Sequence, residues 1–299
     1  MKRRGIVAAV AAALLLGGLP VAGGAQRPVA AGIGDRLRLP EIIAHRGASW
    51  DAPENTLSAF NLAWAMDADA IELDIWLSAD GQLPLLHDPD TQRTGGQRLV
   101  VEQSTLAQLR QLEYGAWKGA QWRGEPIPTL EEVLATRPRH RRVFVESKSD
   151  ARVVNRMFEA FDRSPHNPHE LVFITFQYDV AAEVKRRRPR TPVYWLEGFR
   201  QDPQTGAWSP TMEEVVRRAR EANLDGVNLR FVGPATVPEN VQLIRDAGLG
   251  FYVWTVNDVD AAQRAMELGV DGITTDRPAW LKQELISRNG PRLLPQPQR

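Results

Sequence analysis

From residue 41 onward the chain alternates, eight times, between a short apolar run and a longer stretch with helical spacing. The candidate strands are 42–44, 70–76, 142–145, 171–174, 192–196, 226–229, 250–254 and 272–275. The candidate helices that follow them are 55–66, 129–136, 152–161, 180–187, 212–222, 238–247, 259–268 and 279–286. The strand runs are short and mostly apolar, as parallel strands covered on both faces must be. The helical stretches carry apolar residues three and four apart, such as Leu57, Phe60, Ala63 and Trp64 in the first. Eight such units in roughly 245 residues fit an eightfold closed barrel, which takes about 250. An open doubly wound sheet is the competing architecture, but no Gly-rich dinucleotide loop follows the first run. The expected fold is therefore an α/β TIM (β/α)8 barrel over residues 40–288. A small insertion after the second strand, about residues 92–128, carries Gly95-Gly96, Trp117 and Trp122 and belongs on the side where the strands end.

The two ends of the chain differ from this repeat. Lys2, Arg3 and Arg4 precede an apolar stretch over 6–16, Pro20 breaks it, and Gly23-Gly24-Ala25 supplies small residues. That pattern predicts a signal peptide over 1–25 and a secreted or periplasmic protein. The run is too short and glycine-rich for a membrane anchor, which takes about 20 apolar residues. Residues 26–39 read as a linker, and the Pro-rich 289–299 as a disordered tail. Lys+Arg and Asp+Glu both number 37, so the chain lacks the basic excess of a nucleic-acid binder. Losing Lys2, Arg3 and Arg4 with the leader takes the net charge from 0 to −3. The absence of cysteine excludes disulfides, thiolate nucleophiles and Cys-ligated zinc.

In such a barrel, catalytic groups gather at the C-terminal ends of the strands. Here those ends read His45-Arg46-Gly47, Glu72-Leu73-Asp74, Glu146-Ser147-Lys148, Trp254-Thr255-Val256-Asn257 and Thr274-Thr275-Asp276, with His87-Asp88 after the apolar run 83–86. Glu72 and Asp74 are two apart on a strand and point the same way, and Glu146 and Lys148 repeat the spacing. Adjacent carboxylates repel unless a proton or cation lies between them. Glu72, Asp74 and Glu146 together suit a hard divalent cation, Ca²⁺ or Mg²⁺. Arg46 and Lys148 add positive charge beside it, which suits a phosphodiester whose transition state builds charge on oxygen. Breaking a P–O bond also needs a base and an acid, for which His45 and His87 are candidates.

Other features have quieter readings. Pro53-Glu54-Asn55-Thr56 looks like a helix start, with Glu54 complementing the helix dipole. Trp254 is either core packing or the floor of a substrate site. The basic runs 137–142 and 185–190 fall in loops at the opposite end of the barrel and are expected to face solvent; docking onto an anionic surface is the sharper alternative.

In order, His45-Arg46-Gly47, Pro53-Glu54-Asn55-Thr56, Glu72-Leu73-Asp74, Asp80-Gly81, His87-Asp88, Arg93-Thr94, the segment 124–130, Trp254-Thr255-Val256-Asn257 and the segment 269–278 resemble the glycerophosphodiester phosphodiesterase family. The series spans about residues 41–280. The resemblance implies a TIM barrel that hydrolyses a small-molecule glycerophosphodiester to glycerol 3-phosphate and an alcohol. It implies His45 and His87 as general acid and base, and Glu72, Asp74 and Glu146 as ligands of Ca²⁺ or Mg²⁺. It also implies Arg46 and Lys148 as phosphate contacts, with the glycerol hydroxyl attacking phosphorus first to give a cyclic intermediate. The chain departs from the family at Ser147, where an apolar residue is usual, and at Thr175, where serine is common. The loop 199–210 is long and on the active-site side, placed to act as a lid or headgroup selector. Two rival functions are a barrel phospholipase acting on lysophospholipid or sphingomyelin, and a phosphate-binding protein without catalysis. The paired histidines argue against the second.

Overall fold

The eight apolar runs pair side by side because each has a buried neighbour on both flanks. In the computed structural model, which describes residues 36–164 and 167–294, the strands are β1 (Glu41–His45), β2 (Ala70–Ile75), β3 (Arg142–Ser147), β4 (Leu171–Thr175), β5 (Val193–Glu197), β8 (Gly226–Arg230), β9 (Gly250–Trp254) and β10 (Gly272–Thr275). They form a closed parallel barrel in the order β1-β10-β9-β8-β5-β4-β3-β2. Two short strands, β6 (Arg200–Gln201) and β7 (Trp208–Ser209), make a separate antiparallel hairpin. The expected TIM barrel is thus the fold.

Around the barrel lie α1 (Leu57–Ala65), α4 (Leu130–Thr136), α5 (Val153–Arg163), α6 (Tyr178–Arg187), α7 (Met212–Glu221), α8 (Pro238–Asp246), α9 (Val259–Glu267) and α10 (Pro278–Asn289). Two one-turn helices, α2 (Gln92–Gly95) and α3 (Leu106–Leu109), belong to the segment between β2 and β3. The helices start where sequence chemistry says they should. Thr129 and Thr105 form capping boxes with Glu132 and Gln108, and Thr56, Thr211 and Asp258 each accept a backbone N–H at an N-cap.

Strand alternation divides the apolar side chains into two layers. Outward residues such as Ile42, Ile71, Val143, Phe173 and Phe251 pack under the helices. Inward residues, among them Ile43, Phe144, Val172, Ile174 and Leu196, fill the lumen. The barrel is therefore solid below the level of its C-terminal rim, and chemistry is confined to that rim.

The opposite end is closed by charge. The Arg142 guanidinium is 4.8 Å from the Phe144 ring, bonds Glu41 at 2.7 Å and donates to the Tyr252 hydroxyl at 2.8 Å. This corrects the reading of 137–142 as a solvated loop at Arg137, Arg141 and Arg142, while residues 138–140 do face solvent. Arg137 is buried against Glu170 at 2.7 Å, and Arg141 reaches Asp67 and Asp69. In the second basic run, Lys185 is buried against Asp225 at 2.6 Å. These cations are consumed by carboxylates that lie far away in sequence, which is why the run looked unpartnered.

Leu37 and Leu293, which flank the barrel on either side in sequence, form a parallel bridge in which the Leu37 N–H donates to the Arg292 carbonyl at 2.7 Å and the Leu294 N–H to the Leu37 carbonyl at 2.8 Å. The leader over 1–25 and most of the expected linker lie outside the described residues. Of the tail expected to be disordered over 289–299, residues 289–294 are ordered instead, with α10 running to Asn289 and Leu293 paired to Leu37, and 295–299 lie outside the described residues. No helix among the described residues is long and apolar enough to cross a membrane.

Candidate active site

The barrel register aligns the site. His45 lies beside Glu72, and Asp74 beside Glu146, so imidazole and carboxylates share one side of the rim. Glu72, Asp74 and Glu146 are all buried, and one oxygen from each falls within 4.8 Å of the others. Lys148 Nζ lies 2.5 Å from Glu146 and 3.1 Å from Asp74. Arg46 Nε is 3.1 Å from Asp74, and its backbone N–H donates to Glu72 Oε2 at 3.0 Å.

The loop after β1 explains how Arg46 does both. Its φ is +54°, in the left-handed region, which turns its N–H toward Glu72 and its side chain toward Asp74. Gly47 follows at φ +84°, and a Cβ there would lie 2.6 Å from the Ala59 carbonyl carbon. Only glycine fits, so Gly47, the last residue of the His-Arg-Gly triplet, is a steric requirement of α1 packing against this turn.

Burial, followed by the charges of Asp74 and Glu146, pushes the Glu72 carboxyl well above its usual range. Burial and then Asp74 push Glu146 up to about 7. Asp74 goes the other way: burial opposes ionisation, but Lys148, Arg46, His87 and the Asn55 hydrogen bond hold it well below the ordinary carboxylate range. A cluster that resists full ionisation by its own charges is built for a cation. Glu72 Oε1 is buried and has no hydrogen-bond partner among the described residues. An uncommitted carboxylate oxygen facing two more carboxylates fits a divalent metal ligand, and the all-oxygen donor set fits a hard cation.

The two histidines flank this cluster, each fixed by an aspartate. His45 donates from Nδ1 to Asp276 at 2.6 Å, and Asp276 also accepts from Ser49 at 3.0 Å and Asn257 at 2.5 Å. Burial opposes ionisation of Asp276, but the His45 contact and these donors hold it at about 2. His87 donates from Nδ1 to Asp88 at 2.8 Å, and Arg93 binds the other Asp88 oxygen at 2.6 Å. Burial, then the Lys148 and Arg46 charges, lowers the His87 pKa against the pull of Asp74 and Asp88. In both rings Nδ1 is committed and Nε2 is left for chemistry. A cavity of about 300 Å³ opens beside His45, between Trp50 and Trp117 and over Glu54 and Lys118. A larger, shallower groove of about 530 Å³ lies on the outer helices, lined by Arg217, Arg220 and Glu221, remote from these groups.

All seven polar residues picked out from sequence, His45, Arg46, Glu72, Asp74, His87, Glu146 and Lys148, converge here. Trp254 is on the same rim, half-buried, its indole N–H bonded to the Asn228 carbonyl at 3.0 Å and its ring edge-on to Phe176. Glu54 and Asn55 were read as part of a helix start, but α1 begins at Leu57 behind the Thr56 cap. Glu54 instead joins Arg46 (3.0 Å) to Arg93 (2.7 Å), linking the β1 loop to the segment that holds His87. Asn55, at φ +57°, grips Asp74 twice: Nδ2 donates to its carboxylate at 2.8 Å and Oδ1 accepts its backbone N–H at 3.2 Å. Asp88, Arg93, Asn257 and Asp276 were missed as second partners. The signal was present in part, since Asp276 ends a strand and Asp88 adjoins His87.

The family model described as the glycerophosphoryl diester phosphodiesterase family matches residues 45–280. A glycerophosphodiester phosphodiesterase of Bacillus subtilis is 30% identical over 271 residues, covering 84% of this chain and 89% of its own. One from Caldanaerobacter subterraneus is 32% identical, covering 80% and 95%. Among solved structures, an Oleispira antarctica phosphodiesterase in complex with the product sn-glycerol-3-phosphate superposes with a TM-score of 0.72 at 26% identity, covering 83% of this chain and 97% of that one. With this site geometry and these matches, the chain belongs to the glycerophosphoryl diester phosphodiesterase family and is an enzyme of that class.

Proposed function

We propose that the protein hydrolyses glycerophosphodiesters to glycerol 3-phosphate and an alcohol, using one Ca²⁺ or Mg²⁺ and two histidines. The observation that carries this is the pair of imidazoles, each locked through Nδ1 by its own aspartate, on either side of a buried three-carboxylate cluster. Glu72, Asp74 and Glu146 hold the cation, and Arg46 and Lys148 are placed to contact the phosphate oxygens. When bound, the cation neutralises charge that builds on the phosphoryl oxygens. Holding the cation would require the carboxylates to be ionised, and Lys148, which pairs with Glu146 and Asp74 in the metal-free site, would remain at hand for a phosphate oxygen.

His87, whose neutral form burial favours, accepts the proton of the attacking hydroxyl. His45, oriented by Asp276, delivers a proton to the leaving alkoxide. The attacking group is the substrate's own glycerol hydroxyl in the first step. Water then opens the cyclic phosphodiester with the two histidines exchanging roles. The Oleispira enzyme's bound product supports glycerol 3-phosphate as the retained half. The N-terminal basic and apolar pattern supports export after cleavage near Ala25.

The test is turnover of glycerophosphocholine after EDTA treatment and separate add-back of Ca²⁺ and Mg²⁺, in wild type and in His45→Ala and His87→Ala. Each variant is expected to lose about 10²-fold or more in kcat, the usual worth of a positioned acid or base. Near-normal turnover by either variant, or full activity in EDTA, would refute the assignment.

A further inference from the structure

The rim has two unlike halves. His45, Glu72, Asp74 and Glu146 lie on β1, β2 and β3, and Lys148 directly follows β3. The strand across the lumen from β2 is β8, four strands away in either direction. β8 ends in Arg230, which is paired in register with Trp254 on β9. Register partners on neighbouring strands project to the same side of the sheet. Trp254 packs on the cluster that fills the lumen, so Arg230 also projects over the mouth. Phe176, 46% exposed and 5.4 Å edge-on to Trp254, continues this surface from the end of β4. The far half of the mouth is therefore an aromatic floor with one guanidinium at its edge.

That guanidinium is unengaged. The other cations around the site have partners: Arg46 on Glu54 and Asp74, Lys148 on Glu146 and Asp74, Arg93 on Asp88 and Glu54, and Lys118 on the Ser49 carbonyl. Arg230 is exposed, and among the described residues it makes neither an ion pair nor a side-chain hydrogen bond. Glu197, which ends the neighbouring strand β5, is in register with Leu229, which packs in the outer layer, and its own Oε1 accepts the Gly198 N–H. The carboxylate therefore faces away from the mouth.

Resting on the phosphodiesterase reading above, we infer that Phe176, Trp254 and Arg230 form a subsite for the alcohol half of the substrate, and that Arg230 selects alcohols bearing a second anionic group, a carboxylate or a phosphate. With phosphorus held over the acidic half, one arm of a diester extends across the mouth. The apolar carbons of that arm lie on the Phe176 and Trp254 rings, and an anion at its end meets the Arg230 fork, which suits carboxylate and phosphate oxygens. The cavity between Trp50 and Trp117 takes the other arm.

Three matched diesters test this: glycerophosphoglycerol, whose alcohol is neutral, glycerophosphoglycerate, which adds a carboxylate, and glycerophosphoglycerol phosphate, which adds a phosphate. Wild type is expected to show a kcat/KM about fivefold to tenfold higher for the anionic diesters, the scale of one rim-exposed charge-assisted contact. The preference should shrink as salt is raised. Arg230→Gln should bring both anionic diesters down to the neutral value through KM, with kcat changed less than twofold. Arg230→Lys should keep part of the preference, because it retains the charge but not the fork. The two anions differ only in which is preferred, and the larger ratio identifies the natural class. Equal kcat/KM for all three in wild type, or a preference that survives Arg230→Gln, would overturn the inference while leaving hydrolysis established by the neutral diester. No turnover of any diester by wild type would overturn the function and the subsite together.

Discussion

Asn55→Ala should destabilise the protein by about 3–5 kcal/mol and weaken its hold on the cation. The magnitude follows from three losses. The hydrogen bond to the Asp74 carboxylate, 2.8 Å and fully buried, is to a charged group and is worth about 1.5–3 kcal/mol. The bond from the Asp74 backbone N–H, 3.2 Å, is worth about 1 kcal/mol, and its loss leaves that N–H buried without a partner. Alanine also tolerates φ +57° less well than asparagine, at about 1 kcal/mol. For a domain of this size each kcal/mol moves Tm by about 2–4 °C, so a fall of roughly 6–20 °C is expected in thermal unfolding of the metal-free protein. Asn55→Gly separates the terms: it keeps the backbone conformation and loses both bonds, so it should fall short of the alanine variant by about 1 kcal/mol. A calcium or magnesium titration followed by calorimetry then reads the second effect, because Asp74 loses the group that aims it. A Tm within about 2 °C of wild type in Asn55→Ala would refute the claim that this side chain organises the cluster.

Two further outcomes follow from the electrostatics. Glu72 is held well above the carboxylate range and Glu146 at about 7 in the metal-free site; cation binding must therefore expel protons, so affinity should rise with pH through 6–8, and calorimetry in buffers of different ionisation enthalpy should show net proton release; buffer-independent heats would contradict this. Asp276→Asn keeps the size of the His45 partner but removes its charge and is expected to lower kcat by about 10²-fold with little change in KM. Because Asp276 is held near 2 against an ordinary 3.8, its ion pair contributes stability that is complete above pH about 4 and is lost as pH falls toward 2. With the group about a quarter exposed, that contribution is about 1–2 kcal/mol after solvent screening, and the acid limb of wild-type unfolding should flatten by that amount in the variant.

The barrel was legible in the sequence because burial on both faces forces near-continuous apolar runs. The strands 250–254 and 272–275 were read to the residue. The trio of carboxylates, Glu72, Asp74 and Glu146, and Lys148 were legible because two-residue spacing on a strand fixes direction. Asn55 and Glu54 were not, because nothing local distinguishes a helix-start residue from one whose backbone is turned left-handed to face another strand. Arg137, Arg141 and Arg142 looked like a solvated run because their partners Glu170, Asp67, Asp69 and Glu41 come from other parts of the chain. Spatial pairing across as many as 101 residues leaves no periodic trace in a single chain. The loop 199–210, expected as a lid or selector, contains a hairpin whose Trp208 ring sits against Gly233, where a Cβ would approach it to 2.7 Å. That contact anchors the hairpin beside the mouth.

The most direct test is a crystal of the protein grown with Mn²⁺ and soaked in sn-glycerol 3-phosphate, read by anomalous scattering. A single metal peak bonded to Glu72, Asp74 and Glu146, with Lys148 turned to the phosphate and both His45 and His87 Nε2 atoms within hydrogen-bond reach of phosphate oxygens, about 2.6–3.2 Å, is the predicted outcome. A peak elsewhere, or either imidazole facing away from the phosphorus, would contradict the account.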